Sequence, residues 1–159
     1  MDRNLKLKFS ELLDNARDRI IFLKPLRLVE HVKPEILDVY EEIIRSYVFG
    51  NFRASCVLSR VIVEEMMESF IIYRGFGHLI EGKDRTAKGK SLDFIWCNVL
   101  RESLKVVKLA SKIRRHADNI LHTSYSDNNR LKGDLVSAEK TRAIISGLQQ
   151  FIKVFPKRV

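Results

Sequence analysis

The sequence predicts an all-α protein, an antiparallel bundle of four to five helices. Three observations carry that expectation. The chain has only three prolines, Pro25, Pro34 and Pro156, and each sits at the end of a periodic run instead of inside one. Apolar residues recur at steps of three and four along successive segments. No alternating strand pattern runs longer than four residues. Short connections favour antiparallel neighbours, and 159 residues with 45% hydrophobic content suffice for one proper core.

The elements follow in chain order. Residues 9–22 form a short amphipathic helix with Ser10 as its N-cap, broken around Lys24-Pro25-Leu26. Pro34 suits the first turn of the next helix, where its missing N–H is not needed. Ile36, Leu37, Tyr40, Ile43, Ile44 and Tyr47 mark that helix's apolar face, and Gly50 closes it. Asn51 is a suitable N-cap for a long helix over about 52–74, stopped by Gly75. Ala54, Val57, Leu58, Val61, Ile62, Met66, Phe70 and Ile71, with Cys56, Val63, Met67 and Ile72 beside them, make it apolar over more than half its circumference. Such a helix belongs at the centre of a bundle.

Residues 82–90 read as a basic, glycine-flanked loop, and Ser91 as the cap of a short apolar helix with Leu92, Phe94, Ile95, Trp96 and Val99. A helix over about 104–123 carries Val106, Ala110, Ile113 and Ala117 on one side. Residues 124–135 read as a polar loop, and a last helix spans about 137–154. The expected division is an N-terminal helical extension at 1–32 and a bundle domain at 33–159.

Charge narrows the partners. Lys and Arg outnumber acids by 29 to 20, a formal charge of +9, which favours RNA, DNA or an anionic membrane. No apolar run reaches the roughly 18 residues that a membrane span needs, and the first residues lack the apolar core of a signal peptide. Cys56 and Cys97 sit in apolar runs without a CxxC motif, as reduced core residues of a cytoplasmic protein do. A helix lying on an acidic membrane fits poorly, because the long apolar helix reads as core.

Several motifs fail on spacing. Gly82 and Gly89-Lys90-Ser91 resemble a phosphate-binding loop, but six residues separate the glycines where four are required, and no strand precedes them. His31, His78, His116 and His122 form no i,i+4 pair and no HExxH frame, so no metal site is expected. There is no GxSxG elbow, and a thiolate in an apolar run is costly. No cofactor is expected.

One constellation remains. Arg101, Lys105, Lys108, Lys112, Arg115, Asn119 and His122 follow one another at alternating steps of four and three, the spacing of one helix face. On an ideal helix His122 lies about 20° from Arg115, and Asn119 about 40°. A histidine with a near-neutral pKa can give or take a proton. An arginine can clamp a phosphate and stabilise the charge developing on it. With an RNA 2′-hydroxyl as nucleophile, that pair could cut RNA without a metal. The same spacing also describes a solvated helix face.

The segment Ile113-Arg-Arg-His-Ala-Asp-Asn-Ile-Leu-His122 resembles the signature of the HEPN superfamily, the higher eukaryotes and prokaryotes nucleotide-binding domains. That signature is an Arg, a polar residue, and a His after four to six intervening residues; Arg115, His116 and His122 satisfy it. The helix beginning Asn51-Phe-Arg-Ala and containing Arg60 and Glu64 is similar to the first core helix of a HEPN branch found in restriction and defence loci. The C-terminal SAEKTRAIISGLQQF looks like that branch's closing helix. The resemblance covers about residues 35–155. The branch has Gly-Asn before its His, where this chain has Ala117-Asp118-Asn119. Its Arg stands eight residues before the His, which selects Arg114; helical geometry prefers Arg115, because Arg114 is rotated about 80° from His122.

The resemblance implies a HEPN-like homodimer whose two Arg–His pairs line one cleft, and a metal-independent endoribonuclease of a defence or toxin–antitoxin system. His122 would be the acid and base, Arg115 the phosphate clamp, and Asn119 and Asp118 the residues that orient them or the RNA. Arg101, Lys105, Lys108, Lys112, Arg114 and His116 would contact the nucleic-acid backbone. Some relatives of this kind are toxins held in check by a small nucleotidyltransferase, which makes such an antitoxin a candidate partner. Two alternatives stay open: a non-catalytic module that dimerises and binds nucleic acid, nucleotide or a partner protein, and a purely structural module whose stripe is only a soluble face.

Overall fold

The computed structural model describes residues 3–21, 23, 34–82, 85–122 and 138–156, and these are helical throughout apart from turns. The helices are α1 (Arg3–Ile21), α2 (Pro34–Val48), α3 (Phe52–Tyr73), α4 (Arg85–Phe94), α5 (Leu104–His122) and α6 (Ala138–Val154). A 3₁₀ turn at Gly77–Leu79 precedes α4, and a π-helical segment at Ile95–Val99 extends it. The anticipated polar loop at 124–135 lies outside the described residues.

The centre is α3, as its apolar circumference requires. Cys56, Ile62, Val63, Met67, Phe70 and Ile71 are buried along it, and it packs against α2, α4, α5 and α6. Ile72, expected beside the apolar face, is instead exposed together with Tyr73 in the final turn. Both ends follow from local chemistry. Asn51 Oδ1 accepts the Ala54 N–H at 3.3 Å, an N-cap that stabilises the helix by about 1 kcal/mol. Gly75 takes φ +85° just past the last turn, a conformation that costs glycine little.

Contacts along α3 set the direction of its neighbours. Ser55 Oγ donates to the Ile43 carbonyl at 3.0 Å, and the Tyr47 and Phe52 rings meet at 5.8 Å, so α2 and α3 form an antiparallel hairpin. Arg60 reaches Asp118 and Arg114 reaches Met67, so α5 runs against α3. Cys56 meets Thr141 near one end of α6, and Phe70 meets Phe155 at the other, so α6 runs with α3. Trp96, Phe70, Phe151 and Phe155 close that end of the core with centroids 5.1–5.7 Å apart.

Two expectations about local structure are corrected. The first helix starts at Arg3, so Ser10 is interior to it and not its cap. Its C-terminal half docks on the α2–α3 corner: Ala16 is buried, and Arg19 Nη1 donates to the Val48 carbonyl at 2.8 Å while lying over the Phe52 ring. Gly50 makes room for this, with φ +82° and Arg19 Nη1 at 3.1 Å from where a Cβ would stand. The second correction is that residues 85–90 are helical, six residues ahead of the expected Ser91 cap. Tertiary contacts hold this polar turn: Lys88 pairs with Glu68 of α3 at 2.5 Å, and buried Gly89 lies against Arg114.

The passage from α4 to α5 is irregular. The Leu100 N–H donates to the Ile95 carbonyl and the Glu102 N–H to the Trp96 carbonyl, at 2.9 and 3.1 Å. Arg101 between them is left-handed at φ 53°, alone among the described non-glycine residues. Arg101 therefore stands in a turn and not on the α5 helix, and its four-residue step to Lys105 is not a helical one.

Candidate nucleic-acid interface

Helix α5 is amphipathic by sequence and the fold respects it. Val106, Ala110, Ile113 and Ala117 are buried against α3 and α6. The opposite face holds Lys105, Lys108, Lys112, Arg115, His116 and Asn119, all exposed. On an ideal helix these six fall within an arc of about 100°, so the structure brings them together as one surface.

Arg114 leaves that surface. It is only 6% exposed, and its guanidinium turns inward between α4 and α3. It pairs with Asp93, lies 3.4 Å from Ser111 Oγ, and touches the Met67 sulfur at 4.0 Å. Ser111 donates to the second Asp93 oxygen at 3.1 Å. Arg114 is thus a buried tie between helices, and its expected contact with nucleic acid has no exposed side chain to make it. Arg115, one residue on, is exposed. The ambiguity between the two arginines is one of position about the helix: Arg114 faces protein and Arg115 faces solvent.

Asp118 is also engaged. Its carboxylate accepts from Arg60 Nη1 across the α3–α5 seam, while Arg60 Nε donates to Glu64 at 2.7 Å. Arg60 and Glu64 side chains are each 11% exposed, against 42% for Asp118. A buried arginine that satisfies two carboxylates avoids the cost of an unpaired charge. Asp118 therefore anchors the last turns of α5 to the central helix. For His122 the backbone closes α5; its side chain lies outside the described residues, so the expected meeting with Arg115 is not seen directly.

The electrostatic outcome follows from where the acids go. Asp118 is the only acid in α5, and Arg60 occupies it. Asp93 is taken by Arg114, Glu102 by Arg74 at 2.9 Å, and Glu68 by Lys88. Among the described residues, no acid pairs with Lys105, Lys108, Lys112 or Arg115. Interior Arg60 and Arg114 take Asp118 and Asp93, Arg74 and Lys88 take Glu102 and Glu68, and no acid among the described residues is left paired with the outer cations. Such a surface attracts polyanions and concentrates them.

Sequence reasoning assigned no site role to Asp93, Ser111 and Arg60. Of these, only Arg60 carried a local signal, as one half of an i,i+4 Arg–Glu pair inside an otherwise apolar helix. Both cysteines hold their thiols in the neutral form. Burial pushes Cys56 up to about 11, offset in part by its contact with Thr141, and burial with nearby Asp93 raises Cys97. Among the described residues no group of three or more His, Cys, Asp or Glu converges as a metal site, and no helix is long and apolar enough to cross a membrane. Comparison with protein-family models, with curated proteins and with solved structures finds no match to this chain.

Proposed function

We propose that this protein binds RNA along the exposed face of α5 and, as a HEPN-like homodimer, cuts it without a metal. The observation that carries the proposal is the unopposed row Lys105, Lys108, Lys112 and Arg115 on one helix face, with neighbouring acids sequestered by interior arginines. Lysines spaced along one helix suit a phosphate backbone, which they attract without reading bases.

The cleavage chemistry rests on the HEPN resemblance of Arg115 and His122. Both belong to α5, seven residues apart and therefore about 20° from each other around its axis. Arg115 would hold the scissile phosphate through two N–H donors. The RNA 2′-oxygen attacks phosphorus, the 5′-oxygen leaves, and a cyclic phosphate remains. His122 would accept the 2′-hydroxyl proton or supply one to the leaving oxygen, and the second copy in the dimer would provide the complementary proton transfer. Asn119, exposed one turn before His122, would orient the RNA; Asp118 would act indirectly, by tethering the helix through Arg60. A defence or toxin–antitoxin setting, with a nucleotidyltransferase antitoxin, belongs to the same proposal.

The test is incubation of wild-type and His122→Ala protein with single-stranded and transfer RNA in EDTA, with the products resolved on a gel. Cleavage by wild type alone supports the proposal. Binding by both proteins with cleavage by neither assigns the α5 face to a non-catalytic RNA-binding module.

A further inference from the structure

A second surface lies on α4, whose C-terminal turn reaches α5: Ser111 and Arg114 both donate to Asp93. Phe94, one residue past Asp93, points outward and is 62% exposed. With Leu79, Lys90, Ser91 and Ile95 it lines an open surface cleft of about 430 Å³. Lys90 and Phe94 are four residues apart on α4, so cation and ring share one face.

The backbone at Phe94 is tied down. Asn98 Nδ2 donates to the Phe94 carbonyl at 3.1 Å, and the π-helical segment begins at the next residue. Such segments inside helices often accompany functional sites. Among the described residues the cleft is lined by one lysine and no acid, and Asp93, the residue before Phe94, reaches α5 through Ser111 and Arg114. An exposed aromatic ring beside a cationic track is the usual means of holding unpaired bases.

We infer that the Phe94 cleft holds one unpaired base of a single-stranded RNA whose backbone follows α5. Phe94 stacks on the base and Lys90 meets its phosphate. The inference rests on α5 being the RNA-binding face, and it narrows the substrate class to unpaired strands.

The test is anisotropy with wild type, Phe94→Ala and Phe94→Trp against three probes: single-stranded oligoadenylate, an abasic oligonucleotide of equal length, and duplex RNA. Wild type should bind oligoadenylate more tightly than the abasic strand by roughly five- to a hundredfold. Phe94→Ala should erase that difference while leaving abasic and duplex binding unchanged, and Phe94→Trp should keep it. Equal binding of the base-bearing and abasic strands by wild type, with salt dependence intact, would overturn the base site and leave the α5 face standing. Binding of no probe, or binding insensitive to both salt and Lys108→Glu, would overturn the α5 face and this inference with it.

Discussion

Replacing Lys108 with Ala removes one cation from the middle of the α5 face without touching the core, since the side chain is exposed and forms no ion pair with any described acid. Four exposed cations, Lys105, Lys108, Lys112 and Arg115, stand on that face. Each phosphate they neutralise contributes about −0.7 to the slope of log affinity against log salt for a single strand. Full engagement gives a slope of about −2.8, so affinity should fall roughly fiftyfold between about 50 and 200 mM salt. With Lys108→Ala the slope should relax to about −2.1 and the fall to roughly twentyfold. The assay is fluorescence anisotropy of a short labelled RNA across a salt series. A slope near zero for wild type, or one that Lys108→Ala leaves unchanged, would refute the assignment of α5 as the backbone-binding face.

The remaining predictions concern the framework that holds this face. Arg60→Leu should destabilise the fold by about 3 kcal/mol in urea unfolding, because it leaves Glu64 buried without a counter-ion, and Arg60→Leu/Glu64→Leu should recover most of the loss; a single variant costing under about 1 kcal/mol would contradict the buried cluster. Gly89→Ala should stabilise by about 0.5–1 kcal/mol, since the new methyl meets Arg114 Cδ at an ordinary 3.8 Å inside a helix, whereas Gly50→Ala should destabilise through its positive φ and the close Arg19. Stability should decline in alkali as pH rises from the ordinary thiol value of 9.0 toward about 11, because the unfolded chain ionises Cys56 first while the fold keeps it neutral. Burial also raises Tyr40, which adds to that decline, so urea midpoints for Cys56→Ala should show a shallower alkaline fall than wild type.

The sequence by itself determined the helices whose signals are local. Pro34 at the first turn of α2, the Asn51 cap and Gly75 stop of α3, and the apolar period of α5 all act within a few residues, and the observed bounds follow them. The cationic face was legible for the same reason: helical geometry alone assigns Lys105, Lys108, Lys112 and Arg115 to one side. Tertiary structure decided everything that depends on a distant partner. A polar stretch such as residues 85–90 has no apolar period to announce a helix, and its Lys88 is held by Glu68 of α3. Adjacent Arg114 and Arg115 differ in fate because α4 brings Asp93 to one of them and water meets the other. Asp118 looks like a site residue in the linear motif, yet Arg60, 58 positions away, claims its carboxylate. A buried charge must find a counter-charge, and which residue supplies it is set by helix packing, not by periodicity along the chain.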